Sequence, residues 1–255
     1  MYAEERQQAI ARLVTERGRM SVNQLAREYA VTTETVRRDL STLERMGLVR
    51  RVHGGVVPAN SLSLIESGIR ERDQVNIERK ERIARAALAQ LPAGGGTVLL
   101  DAGSTTVRLA MLLPSDHPLT VFTHAVPIAA RLAGLSHIDL RLLPGRVRRT
   151  TQAAVGAETV AALSHLRVDV SFLGTNGITA DHGLTTPDAD EAAVKRALVE
   201  SGRQVVALVD ASKFGIETAV RFASPSEIDV LVTDDEVSSA DRRAFGRAGI
   251  EVVVA

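Results

Sequence analysis

The chain has 255 residues, 45% of them hydrophobic, and balances 31 Lys+Arg against 31 Asp+Glu. That length allows one or two domains with a sizeable core, and a neutral total by itself gives no hint of nucleic acid. The absence of Cys excludes disulfides, thiolate zinc sites and cysteine nucleophiles, and no apolar run reaches membrane-spanning length or forms a signal-peptide core. A cytoplasmic protein with no membrane association, metal or cofactor is expected.

In chain order, a helix is expected over 4–17, with Ile10, Leu13 and Val14 inward and Gly18 as its stop. Ser21-Val22-Asn23-Gln24 has capping-box spacing, and Leu25, Ala26 and Tyr29 give a short amphipathic helix ending in a tight turn at 29–31. A second helix starts at Thr32 as N-cap, carries the apolar stripe Val36, Leu40 and Leu43, and stops at Gly47 as a left-handed cap. Two short helices about a tight turn form a helix-turn-helix, whose second helix enters the major groove by its N-terminal end.

The faces left free offer Thr33, Thr35, Arg37, Arg38 and Ser41 to DNA, with Ser21 at the start of the preceding helix. Residues 48–52 read as a strand and His53-Gly54-Gly55 as a turn, making a basic wing in which Arg50, Arg51 and His53 can donate to phosphates. Arg37-Arg38-Asp39 alone reads better as an ordinary solvated helix face. The capped helix pair, the outward Arg pair and the Gly-turn wing in that order are what point to DNA. Charge agrees once it is divided: residues 1–58 hold 10 Arg and no Lys against 7 acids, net +3, which leaves 21 bases against 24 acids beyond.

Turn formers at 57–63 mark a linker, so the expected domains are 1–58 for DNA binding, 59–75 as linker and 76–255 as effector domain. A charged helix over 76–90 leads to breakers at Pro92 and Gly94-Gly95-Gly96. Short β-branched runs follow at 97–101, 119–123, 138–143, 168–173, 204–209, 229–233 and 251–254. They alternate with helices near 105–113, 126–133, 157–165, 189–201 and 240–248. Near-continuous apolar strands separated by helices predict an α/β fold with a mainly parallel sheet covered on both faces.

Ligands of such sheets bind at the carboxyl ends of the strands. There, Asp101-Ala102-Gly103-Ser104-Thr105-Thr106 offers hydroxyls, backbone N–H groups and a helix N-terminus to an anion, or else is an ordinary turn with a Ser or Thr N-cap. His124, Arg148, Asn176, Gly177, Asp210 and Lys213 stand at or near other predicted strand ends. Glu191 and Lys195 have i,i+4 spacing, which serves a surface ion pair as well as a site. Lysine is scarce, three in the chain, so Lys195 and Lys213 stand out.

The stretches Thr35-Val36-Arg37-Arg38-Asp39-Leu40, Leu48-Val49-Arg50-Arg51-Val52-His53-Gly54-Gly55, Glu78-Arg79-Lys80-Glu81-Arg82-Ile83-Ala84, Leu100-Asp101-Ala102-Gly103-Ser104-Thr105-Thr106, Gly183-Leu184-Thr185-Thr186 and Asp210-Ala211-Ser212-Lys213-Phe214-Gly215 resemble the DeoR family of bacterial sugar-catabolism repressors. The resemblance runs through essentially the whole chain. It implies a winged helix-turn-helix joined to a sensor domain similar to ribose-5-phosphate isomerase and the CoA-transferase group, with a phosphorylated sugar as inducer.

By position it implies that Asp101, Gly103, Ser104, Thr105 and Thr106 hold the phosphate or a neighbouring hydroxyl, and that Asn176, Glu191, Lys195, Asp210 and Lys213 surround the sugar. The chain departs from the family at His124, where Asn is usual, and at Pro144-Gly145, where Gly-Gly is usual. The opening residues 1–8 and the run 123–129 look most like the fructose-operon repressors, which points to fructose 1-phosphate. The leading expectation is a non-enzymatic repressor, at least a homodimer on double-stranded operator DNA, released by that effector. The alternative is a sugar-phosphate isomerase-like enzyme fused to a DNA-binding domain, since Asp101, Glu191, Lys195 and Lys213 include groups able to act as acid or base.

Overall fold

The computed structural model describes residues 2–17, 20–52, 55–58 and 68–255, in two compact units, Met1–Leu62 and Ser63–Ala255. In the first, helices α1 (Ala3–Arg17), α2 (Val22–Glu28) and α3 (Thr33–Arg45) enclose a core of Ile10, Val14, Leu25, Val36, Leu40 and Leu43. Strands β1 (Met20–Ser21), β2 (Val49–Val52) and β3 (Gly55–Pro58) form an antiparallel sheet in the order β1-β3-β2.

The expected caps are present. Ser21 Oγ accepts the Gln24 N–H while Gln24 Oε1 accepts that of Ser21, and Thr32 Oγ1 accepts the Thr35 N–H. Gly47 has φ +68°, and Leu48 N–H returns to Leu43 O at 3.0 Å, closing α3 as a Schellman-type end. The turn between α2 and α3 rests on Ala30 at φ +52°, a left-handed position that no glycine advertises.

Three local expectations need correction. Val57 and Pro58, read as linker, are paired in β3 with Arg50 and Val49. Gly55 opens that strand rather than completing a turn, and its missing Cβ is required because one would lie 2.3 Å from Met20 O. Asp39, grouped with the outward arginines, is buried: it accepts from Arg6 Nε at 2.6 Å and Nη2 at 3.2 Å and from Gln7 Nε2 at 2.9 Å, binding α3 to α1. Gly18, His53 and Gly54 lie outside the described residues.

The second unit begins with the short α4 (Ile69–Asp73), inside the stretch read as linker, and α5 (Ile77–Ala87). Then come β4 (Gly96–Leu100), α6 (Ser104–Met111), β5 (Leu119–Thr123), α7 (Val126–Leu132), β6 (Ile138–Leu142), β7 (Arg146–Arg148), β8 (Ala153–Val155) and α8 (Ala157–Ser164). The chain continues through β9 (Val168–Leu173), β10 (Gly177–Thr179), β11 (Gly183–Thr186), α9 (Ala189–Ser201), β12 (Gly202–Leu208), β13 (Val220–Ala223), β14 (Val230–Thr233), α10 (Ser239–Arg247) and β15 (Glu251–Val254).

Seven of these strands, the seven expected, form one parallel sheet in the order β15-β14-β12-β9-β4-β5-β6. Period-2 alternation sends Val98, Leu100, Val206 and Leu208 into one core with α5, α6 and α7, and Leu99, Val205 and Ala207 into another with α8, α9 and α10. Strand order reverses between β4 and β9. The crevice at that switch point, beyond the carboxyl ends of the strands, is where such sheets receive ligands.

The hairpin β7-β8 and the antiparallel sheet β10-β11-β13 were not expected. Their strands are only three or four residues long, too short to show a hydrophobic period in the sequence.

Candidate DNA interface and effector site

In the first unit, Arg37 and Arg38 are exposed near the N-terminal half of α3, and Arg37 lies 3.6 Å from Glu34 across one helical turn. Thr33, Thr35 and Ser41 are half-buried beside them. Thr35 Oγ1 hydrogen-bonds Thr32 Oγ1 at 2.9 Å, and Ser21 Oγ is engaged as the α2 cap. Arg51 ties the wing to the recognition helix: its N–H donates to Glu44 Oε1 at 2.9 Å and its guanidinium to Ser41 Oγ at 3.2 Å. Burial pushes the Arg50 guanidinium below its ordinary value, against the opposing pull of Glu44. The arrangement leaves Arg37 and Arg38 of α3 and Arg51 of the wing exposed, and exposed guanidiniums of this kind are suited to phosphate contacts.

In the second unit, Asp101 directly follows β4 and is fully buried. Its carboxylate accepts from the Lys195 ammonium and from Gly174 N–H at 2.9 Å, while its other oxygen lies 3.1 Å from His124 Nε2. Burial alone would raise this carboxyl; the Lys195 charge and then the His124 hydrogen bond outweigh it and hold Asp101 at about 2. Lys195 also donates to Gly174 O at 2.9 Å and lies 5.3 Å from the Phe222 ring centroid.

His124 occupies the usual Asn position as a bridge. Nδ1 lies 2.8 Å from Ala154 O, and Nε2 lies 3.2 Å from Ala102 N and 3.1 Å from Asp101 Oδ1, so the buried ring joins three segments at the sheet end. The second departure is not a flexible loop. Gly145, at φ +137°, is packed so that a Cβ would fall 2.2 Å from Thr159 Oγ1, which itself donates to Pro144 O at 2.7 Å.

The Gly103 loop differs from an ordinary turn. Gly103 is the N-cap of α6, no side chain caps the helix, and its first bond is Val107 N–H to Gly103 O at 2.9 Å. The N–H groups of Ser104, Thr105 and Thr106 therefore have no intrahelical acceptor. Thr106 spends its hydroxyl on Asp101 O at 2.7 Å and Gly103 O at 2.9 Å, which shapes the loop.

Glu191 and Lys195 are both buried on one face of α9, and each has its own partner. Glu191 accepts from Thr151, from Arg148 Nη1 at 3.2 Å and from Thr186 Oγ1 at 3.5 Å, and Thr186 in turn reaches Asn176 Oδ1 at 3.1 Å. The simple surface pair is therefore not what forms. Gly177 has a packing reason: a Cβ there would lie 2.4 Å from Ile216 O.

At the end of β12, Asp210 accepts from Asn76 Nδ2 and Ser212 N–H, both at 3.2 Å, and from the Ser212 hydroxyl. Around it lies a group the sequence reading missed. Lys80 is buried on α5 and donates to the carbonyls of Arg72 and, at 2.7 Å, Val75. Burial lowers Lys80 to about 8; Asp210 opposes this, while Lys213, Arg108 and Arg72 push in the same direction. Arg108 reaches back to Ser104 O at 3.0 Å. Lys80 and Lys195 are buried and Lys213 is half-buried in the loop after β12, and lysine scarcity, which singled out two of them, applied equally to the third.

A three-helix winged unit with an arginine-bearing recognition helix, followed by an α/β unit whose charged groups gather at one sheet end, defines a transcriptional regulator with a sensor domain. Family models agree: the DeoR-like helix-turn-helix domain matches residues 6–61 and the DeoR C terminal sensor domain residues 75–235. The chain belongs to the DeoR family of transcriptional regulators.

It is 36% identical to the HTH-type transcriptional regulator GlpR of Haloferax volcanii, over 99% of this chain and 98% of the relative. It is 34% identical to the uncharacterized HTH-type transcriptional regulator FruR of Bacillus subtilis, over 94% and 95%, and 33% identical to the glycerol-3-phosphate regulon repressor of Escherichia coli, over 90% of each. A ribose 5-phosphate isomerase A from Methanocaldococcus jannaschii superposes on 55% of each chain with TM-score 0.40 and 16% identity, too slight a likeness to carry a functional argument.

Proposed function

We propose that the protein is a repressor that binds operator DNA through α3 and the wing and is released by a phosphorylated sugar held at the carboxyl ends of β4, β9 and β12. The observation that carries this is the uncapped α6 N-terminus beside a buried array of Lys195, Lys80 and Arg108, with carboxylates at Asp101, Glu191 and Asp210. Helix N–H groups and cations suit a phosphate, and carboxylates suit sugar hydroxyls.

A regulator fits these carboxylates better than an isomerase does. Proton abstraction from carbon works best with a base tuned near the operating pH, whereas Asp101 is held at about 2 by its partners. Glu191 is likewise engaged by Thr151 and Arg148.

Fructose 1-phosphate is the favoured effector, from the resemblance of residues 1–8 and 123–129 to fructose-operon repressors. One relative is named FruR and another is the glycerol-3-phosphate regulon repressor, which makes glycerol 3-phosphate the competitor to beat. Calorimetric titration of the full-length protein tests the assignment. Fructose 1-phosphate should bind more tightly than fructose 6-phosphate, fructose 1,6-bisphosphate, glycerol 3-phosphate or fructose, because each misplaced group leaves a buried polar partner unpaired, at ~1–3 kcal/mol apiece. Tighter binding of any competitor overturns the fructose assignment, and no phosphosugar binding at all overturns the site.

A further inference from the structure

Residues 68–76 enter the sensor unit as a strap fastened to the loops of the proposed effector site. Ile69 N–H donates to Thr150 O at 2.8 Å, next to the Thr151 that binds Glu191. Arg108, on the helix that begins at Ser104, donates to the Asp73 carboxylate and, at 2.8 Å, to the Asp73 carbonyl. Asn76 donates to Asp210 Oδ1 at 3.2 Å and to Ser212 Oγ at 3.5 Å. Lys80 donates to the carbonyls of Arg72 and, at 2.7 Å, Val75, where α4 ends and a cation is favoured.

These polar bonds, more than packing, hold the strap. Its helix is five residues long, too short to persist alone, and Ile69 is its one buried residue. Asn76 stands at φ +55°, in the left-handed region that Asn tolerates better than other residues with a Cβ, and so turns the chain from α4 into α5. Few apolar contacts and many exchangeable polar ones are the marks of an element that opens locally.

The strap and a phosphosugar want the same groups. A phosphate at the α6 N-terminus attracts the Arg108 guanidinium, which already reaches Ser104 O, and repels the Asp73 carboxylate, which is half-exposed. A sugar hydroxyl donating to Asp210 competes with the Asn76 amide for the same oxygen.

We propose that residues 68–76 are the element through which the effector acts: its arrival displaces Asp73 from Arg108 and Asn76 from Asp210, freeing the segment that continues the chain from the DNA-binding unit. The fastened strap is the operator-binding state. This rests on the phosphosugar reading above.

Two variants of the full-length protein test it without destroying the fold. Asp73→Asn keeps size and the backbone bond while removing the charge, and Asn76→Gly keeps the left-handed backbone while removing the amide. With no ligand present, each should raise the operator Kd by about fivefold or more and speed tryptic cleavage after Arg70 and Arg72. Each should also bind fructose 1-phosphate more tightly than wild type, since the competing bond is gone.

Thermal unfolding at the wild-type temperature confirms that the variants are folded. Wild-type operator affinity in both folded variants overturns the strap, whether or not fructose 1-phosphate binds. Weakened operator binding in both, with no fructose 1-phosphate binding even to wild type, sustains the strap and removes the fructose assignment.

Discussion

Lys195→Met is the most demanding single perturbation of the sensor unit. It removes the ammonium from a pair in which the Asp101 side chain is completely shielded and that of Lys195 only 6% exposed, and Met retains an apolar side chain beside Phe222. Removing one partner of a buried pair costs ~3–5 kcal/mol. Asp101 keeps the Gly174 N–H and the His124 contact, which sets the expectation at the lower end, about 3 kcal/mol.

The loss should depend on pH in a defined direction. In the wild type Asp101 sits at about 2, below its ordinary 3.8, so its contribution is complete above roughly pH 4 and fades as pH falls through 2. Without Lys195, burial becomes the dominant influence and the carboxyl moves upward. Its protonation then relieves the variant at acidic pH, and the deficit relative to wild type shrinks as pH falls from about 7 toward 4.

Urea unfolding followed by far-ultraviolet circular dichroism at both pH values measures this. The double variant Asp101→Asn, Lys195→Met, which leaves no buried charge in the pair, should be more stable than Lys195→Met alone. A deficit under ~1 kcal/mol at neutral pH, or one that does not change with pH, refutes the reasoning.

Replacing both Arg37 and Arg38 by Ala should weaken operator binding by ~1–3 kcal/mol for a base-reading arginine and flatten the salt dependence for a phosphate-binding one, as read by anisotropy at several salt concentrations. Asp39→Ala should cost ~3 kcal/mol of stability, lower the unfolding temperature of the first unit and weaken binding to all DNA sequences alike, because Asp39 lies on the buried face of α3 and fastens it to α1. Lys80, lowered to about 8 by burial, is a cation below that pH and neutral above it. Phosphosugar affinity should therefore fall as pH rises through 8, with proton uptake on binding, and Lys80→Met should abolish the dependence.

The sheet was legible because its strands are apolar, separated by helices and long enough to show their pattern. The helix-turn-helix was legible through local chemistry, since Thr32, Ser21 with Gln24, and Gly47 each act within a few residues of themselves. What escaped was set by distant partners. Asp39 looks outward until Arg6, 33 residues away, takes its carboxylate. The i,i+4 spacing of Glu191 and Lys195 cannot reveal that Asp101, 94 residues from Lys195, and Thr151, 40 residues from Glu191, are their partners. Lys80 is hidden among the charged neighbours of its helix, and only the tertiary fold buries it against the carbonyls of α4 and its following turn.

One phosphosugar, bound at the sheet end, should loosen the grip of α3 and the wing on DNA. The most direct test is the anisotropy of a labelled operator duplex, selected by the full-length protein from genomic DNA, titrated with protein at increasing fructose 1-phosphate. Saturating fructose 1-phosphate should raise the operator Kd by roughly 5–150-fold, and operator DNA should weaken fructose 1-phosphate binding by the same factor. An operator Kd that stays constant with fructose 1-phosphate and with every other phosphosugar tried would contradict it.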